Sequence, residues 1–402
     1  MSSFPINPDI IPWACRHLDM SLAEFARAMH VSEHVMAGWR NGERKPSMRQ
    51  AQELADKLLI PLAYLIMEKT PEITLDAVDF RTIDNHRVTN PSLELWATYS
   101  MALTRQDWYR DCAVESEYEP CRCVGSIALD TPIHHAVSVI RKVLGEEPFG
   151  QNAYRTWETR FTALVDAIED KAGIMVMRNS MVGNNSRRPL SVDEFRGFAI
   201  PDEYAPLIFI NSRDSRNAQL FTLVHELVHV FLGKGGISQQ DYLEAPVNAV
   251  ERYCNQVAAE YLVPADSLRQ SWREQESRNQ SEPYGKIKRL AASYQVSGMV
   301  MIIRCRSLGL LNGLVAHNFW RLEVEALRRI QSARHGGGNP YQNIANRISR
   351  LFARSIIWQA ESMEIQLGDA FKLLGVKNYQ AMRRLSEVVG AFSNAEFIIH
   401  NS

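Results

Sequence analysis

The chain of 402 residues lacks any CxxC pair. Its six cysteines, Cys15, Cys112, Cys121, Cys123, Cys254 and Cys305, match neither a zinc knuckle nor a disulfide framework. Their spacing suits reduced thiols in a cytosolic protein. No apolar run reaches about 18 residues free of charge, so no membrane-spanning helix and no membrane partner are expected. The first ten residues, MSSFPINPDI, lack the basic-then-apolar order of a secretory signal, and a cytoplasmic location is expected. An excess of one charge is lacking too. Lys plus Arg is 45 and Asp plus Glu is 46, giving a formal net charge of −1. That balance excludes a uniformly basic nucleic-acid binder and an acidic solvating tail. What remains is an ordinary globular composition on a chain too long for one core, so two or three domains are expected.

The N-terminal sixty residues read as short helices with tight turns. Ser21 is placed to cap a helix carrying Leu22, Phe25, Ala26 and Met29 at helical spacing, and Ser32 to cap the next, which ends near Gly42. Five short helices with a tight turn between the second and third describe a helix-turn-helix module. Residues 69–92 break periodicity with Pro71, Asn90 and Pro91 and read as a linker or an extended crossing segment. Further on, Ile174–Met177, Phe195–Ile200 and Leu207–Ile210 read as short strands. Helices follow at about 217–232 and 247–263, with a glycine-bearing loop between them, and more helices fill the rest.

The most informative segment is Phe221-Thr222-Leu223-Val224-His225-Glu226-Leu227-Val228-His229. His225 and His229 stand four apart, so on a helix both imidazoles share one face about one turn apart. Two such imidazoles can ligate one zinc ion, which takes nitrogen ligands at about 2.0–2.1 Å. Glu226 lies about 100° round the helix, beside the open face of such an ion, where a carboxylate can act as general base. A catalytic zinc needs a third protein ligand. Glu244 falls in the predicted loop. Glu251 and Glu260 are nine apart on one helix, about 180° round it, so only one can face the metal. Glu251 shares its face with Asn255 and small Ala258, which let two helices approach and let Asn255 bond the other nitrogen of a ligating histidine. Glu251 is therefore the expected ligand, Asn255 its support, and Glu260 a solvated surface acid. A peptide substrate is expected along the strand at Leu207–Ile210. Tyr204, Tyr242 and Tyr253 are in sequence reach of a developing oxyanion, but each reads better as packing.

The run from Arg216 to His229, followed by Glu251-Arg252-Tyr253-Cys254-Asn255 and on to Pro264, resembles the ImmA/IrrE family of metallopeptidases. The resemblance extends to Ile6–Arg16, Asp79-Phe80-Arg81, Glu194-Phe195-Arg196-Gly197-Phe198 and Gly336–Tyr341, which look like the long form of that family. It implies a gluzincin-like core with His225, His229 and Glu251 on zinc and Glu226 as base. It implies a protein substrate, a transcriptional repressor or a toxin–antitoxin-like partner. It also implies an N-terminal helix-turn-helix of the XRE type. The fold class expected is mainly α with a small β-sheet (α+β). Its parts are the helix-turn-helix domain at 1–70, a linker and helical region at 71–170, the metallopeptidase core at 171–310 and a helical C-terminal region at 311–402.

Residues 31–47 resemble the turn, third helix and following loop of XRE-type DNA-binding domains. On that resemblance Glu33, His34, Met36 and Ala37 face bases, and Arg40, Arg44, Lys45 and Arg49 face phosphates. Residues 1–70 carry eight basic and eight acidic side chains, so DNA binding there requires those cations to cluster. A second basic stretch, Arg304–Arg354, holds nine Arg and two acids. It reads as a solvated face or, more sharply, as a surface for an acidic partner or nucleic acid. The expected function is a cytosolic zinc endopeptidase of narrow specificity, with the N-terminal module directing it to DNA or a partner. The alternative is a non-enzymatic DNA-binding regulator or antitoxin that keeps the metallopeptidase fold. A homodimer is compatible with either.

Overall fold

Short capped apolar segments become short helices. The computed structural model describes residues 3–18, 20–58, 60, 62–70, 91–145, 154, 156–238, 249–277, 283–331 and 340–391. The N-terminal segment forms α1 (Ile10–His17), α2 (Leu22–Ala28), α3 (Glu33–Arg40) and α4 (Met48–Leu58), then a 3-10 helix, Leu62–Ile66. Ser21 opens α2 through a reciprocal pair: its hydroxyl accepts from the Glu24 N–H, and the Glu24 carboxylate accepts from the Ser21 N–H. Ser32 opens α3 by accepting from the Val35 N–H. Between the two helices His30 adopts the left-handed region, φ 55°, which turns the chain sharply. Ile10, Trp13, Phe25, Met36, Trp39, Leu54 and Leu58 close into one core. The start of α5 (Leu93–Glu115) and residues 181–190 belong to this first unit.

The second unit is built on a four-stranded sheet. Before it come α6 (Ile133–Leu144) and α7 (Trp157–Ala172). The strands are β1 (Met175–Asn179), β2 (Gly197–Ile200), β3 (Leu207–Asn211) and β4 (Gly236–Ser238), in the order β1-β3-β2-β4. β1 runs parallel to β3, while β2 is antiparallel to both β3 and β4. Strand alternation divides the side chains between two faces. Val176, Ala199, Ile208 and Ile210 join the main core with α8 (Arg216–Leu232) and α9 (Ala249–Leu262). Phe198 and Phe209 stack at 4.9 Å between ring centroids on the other face. α10 (Ala265–Ser277), α11 (Pro283–Ser293), α12 (Gly298–Ser307) and α13 (Gly313–Gln331) follow, and then α14 (Pro340–Ile348), α15 (Arg350–Glu361), α16 (Leu367–Leu374) and α17 (Tyr379–Val389). The fold is thus mainly α with a small sheet. No described helix is long and apolar enough to cross a membrane.

Packing crosses both of the boundaries expected at 170 and 310. α7 shares the core of the sheet, and α14 and α15 pack directly on β1. Phe352 of α15 meets Trp108 of α5 edge to face at 5.5 Å. The reading of the arginine run is corrected. Arg350 pairs with Asp166, and Arg354 with Asp170 at 2.5 Å, so acids one turn apart on α7 receive arginines one turn apart on α15. Arg304 pairs with Glu260 and donates to the Val263 carbonyl. The expected acidic surface is, for these arginines, within the chain. The side chains of Arg328 and Arg329 and all of Arg334 lie outside the described residues, as do Asp79-Phe80-Arg81 and most of the segment read as a linker.

Glu169 joins the same two helices from a fully buried position. Its carboxylate accepts from the Ser349 hydroxyl, the Val176 N–H and the Arg350 N–H. Burial pushes this carboxyl up to about 7 despite those donors. The folded chain therefore keeps a proton that an unfolded glutamate releases near pH 4.3. Its contribution to stability is complete below that value and lost as pH rises through about 7. A shift of this size corresponds to about 4 kcal/mol. Glu169→Gln, neutral at every pH, should flatten the loss of urea stability between pH 5 and pH 8. The same pH slope in both proteins would contradict this role.

Candidate metal centre

α8 begins where the Ser215 hydroxyl accepts from the Ala218 N–H, and it is buried along almost its whole length. A helix so enclosed is mostly apolar around its circumference. Against that background His225, Glu226 and His229 are 0%, 0% and 1% exposed. Small residues on α9, Cys254 and Ala258, let it approach α8. Glu251, in the first turn of α9, then reaches both histidines. Its carboxylate oxygens lie 3.1 Å from His225 Nε2 and 3.1 Å from His229 Nε2, and the two Nε2 atoms are 3.1 Å apart.

The far sides of the rings are held. His225 Nδ1 lies 2.9 Å from Asn255 Oδ1, and His229 Nδ1 lies 2.9 Å from the Lys234 carbonyl. If each Nδ1 carries the proton and donates it, each Nε2 lone pair faces the Glu251 carboxylate. The Lys234 contact depends on the end of the helix. Gly233 takes φ 63°, a conformation a β-carbon would disfavour, and folds the chain back so that Lys234 donates to the His229 carbonyl and receives from its ring. Burial alone would raise the Glu251 carboxyl; His229 and His225, when charged and donating from Nε2 rather than presenting lone pairs to a metal, overcome it and hold it well below the usual carboxylate range.

These atoms suit a metal ion. The three ligand atoms all lie within 4.8 Å of one another. Ligands about 2.0–2.1 Å from a tetrahedral ion stand roughly 3.3 Å apart, close to the separations seen here. Two imidazoles and a carboxylate, with ring orientation fixed from behind, are a donor set for a zinc-like ion. Glu226 is held on the neighbouring face by a close approach of β2. A β-carbon on Gly197 would fall 2.7 Å from Thr222 Cγ2 and 3.1 Å from Glu226 Oε1.

Several expectations change. Glu260 is not a solvated surface acid: it faces away from the centre, pairs with Arg304 and accepts from the Ala265 N–H. β3 cannot take a substrate strand, because β1 and β2 occupy both its edges, and β4 pairs with the other edge of β2. Tyr253 donates to the Thr131 carbonyl, a packing contact. Tyr242 and Glu244 lie outside the described residues, as does the loop beyond Ser238. Sequence reasoning missed the Lys234 carbonyl, although Gly233 at the helix end signalled the turn. It also missed Cys254, whose buried thiol lies beside His229.

In the N-terminal unit Glu33, His34, Arg40, Arg44, Lys45 and Arg49 are exposed, but Met36 is not. Met36 is fully buried, so it packs the core and cannot read a base without unfolding α3. Ala37 is half-buried beside it. Arg44 lies across Gly38 and meets His34 at 3.3 Å, while Arg49 pairs with Glu53 at 3.0 Å.

Residues 169–306 match the protein-family model described as Peptidase_M78, IrrE N-terminal-like domain. The match spans the strands, α8, α9 and the helices to α12, so the segment carrying the metal centre is similar to a peptidase domain, and it supports the ImmA/IrrE likeness. No curated protein and no solved structure matches the chain.

Asn255→Ala should lower zinc affinity about 10–100-fold without altering the fold, because it frees the His225 ring. Competition against a chromophoric chelator measures this. Unchanged affinity would contradict the orienting role.

Proposed function

We propose that this chain is a cytosolic zinc-dependent endopeptidase of narrow specificity that cleaves a regulatory protein, repressor-like or toxin-like. The observation that carries the proposal is the meeting of His225, His229 and Glu251 beside buried Glu226, inside the segment similar to Peptidase_M78. His225, His229 and Glu251 hold the zinc, and Asn255 and the Lys234 carbonyl orient the two rings. When bound, zinc supplies a Lewis acid that polarises the scissile carbonyl and lowers the pKa of water. Glu226 takes the proton from the attacking water on a carboxylate oxygen and returns it to the leaving amide nitrogen. Its burial beside Gly197 keeps bulk water from competing for that proton.

The N-terminal unit is proposed as an XRE-type helix-turn-helix that binds DNA or a partner. The capped α2–turn–α3 geometry and the exposed cations Arg40, Arg44, Lys45 and Arg49 support it. Met36 has no part in that surface.

Two measurements test these readings. Incubating a cell lysate with the zinc-loaded protein and labelling new N-termini should reveal a small set of cleavages. Glu226→Gln should keep its zinc and lose them, a drop of about 10²–10⁴ in rate. The same termini from both proteins would contradict the assignment. For the N-terminal unit, Arg44→Ala with Lys45→Ala should weaken binding to duplex DNA at low salt. It should also reduce the salt slope by about 2 if each contacts one phosphate. An unchanged slope would remove these residues from the surface.

A further inference from the structure

Cys121 and Cys123 are two apart, yet their thiols point the same way. A turn places them so: the Val124 N–H donates to the Cys121 carbonyl and the Ser126 N–H to the Cys123 carbonyl. Both sulfurs face the Ala172 carbonyl at the end of α7, at 2.9 Å and 3.7 Å. Their separation is 3.0 Å. A metal held tetrahedrally between two thiolates at about 2.3 Å would separate the sulfurs by about 3.8 Å, so the pair is too close for that use. It is only about 1 Å longer than a disulfide bond of about 2.05 Å. Cys123 is buried at 4% exposure, whereas Cys121 is partly open to solvent.

We propose that Cys121 and Cys123 are a redox modification site, at which a peroxide oxidises the two thiols to a reversible disulfide. Cys121 is the attacking sulfur. It is the sulfur partly open to solvent, and it lies within hydrogen-bonding distance of the more buried Cys123. The Cys121 thiolate attacks one peroxide oxygen, the O–O bond breaks, and the departing hydroxide takes a proton to become water. Cys121 is then a sulfenic acid. Cys123 loses its proton, and its sulfur displaces the sulfenic hydroxyl, which leaves as a second water. Two thiols lose two electrons in all, and one hydrogen peroxide becomes two waters. A disulfide across one intervening residue is strained, which places it among the easily reduced, labile class.

The site is not remote from the rest of the unit. Gly125 and Ile127, just after the pair, donate to the Val230 and Phe231 carbonyls at the end of α8, and Thr131 accepts from Tyr253 of α9. The turn holding the thiols therefore fills part of the hydrogen-bonding capacity left open where α8 ends.

The test uses the full chain, treated with one equivalent of hydrogen peroxide and digested without reduction. Trypsin cuts after Arg122, so a disulfide leaves the Cys121 and Cys123 peptides joined and absent from the alkylated pool. Glutathione should then separate them. Cys123→Ser should stop at a sulfenic acid on Cys121 that dimedone traps. Wild-type protein in which both thiols remain alkylatable would overturn the proposal. So would oxidation of Cys121 that leaves Cys123 free.

Discussion

The second unit depends on fixing two imidazoles inside an apolar helix. Burying His225 and His229 together with Glu226 and Glu251 is unfavourable unless each polar atom is directed at a partner. Asn255 and the Lys234 carbonyl hold the ring nitrogens that face away from the centre. The other nitrogens and the Glu251 carboxylate then converge, and the same contacts that offset burial define the donor set. The approach of α9 through Cys254 and Ala258, the reversal at Gly233 and the bare backbone of Gly197 are the packing conditions for that convergence.

A further constraint ties the sheet to helices far along the chain. α7 and α15 are about 180 residues apart in sequence, yet Asp166 and Asp170 meet Arg350 and Arg354, and Glu169 binds the turn where α15 begins. The C-terminal helices are thereby part of the unit that holds His225, His229 and Glu251. Cutting the chain at residue 310 would expose β1 and leave Glu169 without its Ser349 and Arg350 donors.

What could be read from sequence follows from the range of each interaction. His225, Glu226 and His229 were legible because helical spacing alone puts them together. Glu251 and Asn255 were legible from a face argument on one helix, and Ser21 and Ser32 from local capping chemistry. The failures depend on which element lies beside which. Met36 has the spacing of a base-facing residue but points into the core. β3 has the pattern of an available strand, but β1 and β2 flank it on both sides. Glu260 was correctly opposite Glu251, but only the position of α12 shows that Arg304 receives it. Cys121 and Cys123 carry no pattern, since their nearness comes from the turn rather than from spacing.

The central claim is an open metal centre with two histidines, one glutamate and an adjacent base. X-ray absorption at the zinc edge of the purified protein tests it most directly. Zinc held by His225, His229 and Glu251 gives one zinc per chain with only nitrogen and oxygen neighbours at about 2.0–2.2 Å. A sulfur neighbour at about 2.3 Å would bring Cys254 into the shell and make the site closed and structural, contradicting the account. Protein that cannot be loaded with zinc would contradict it as well.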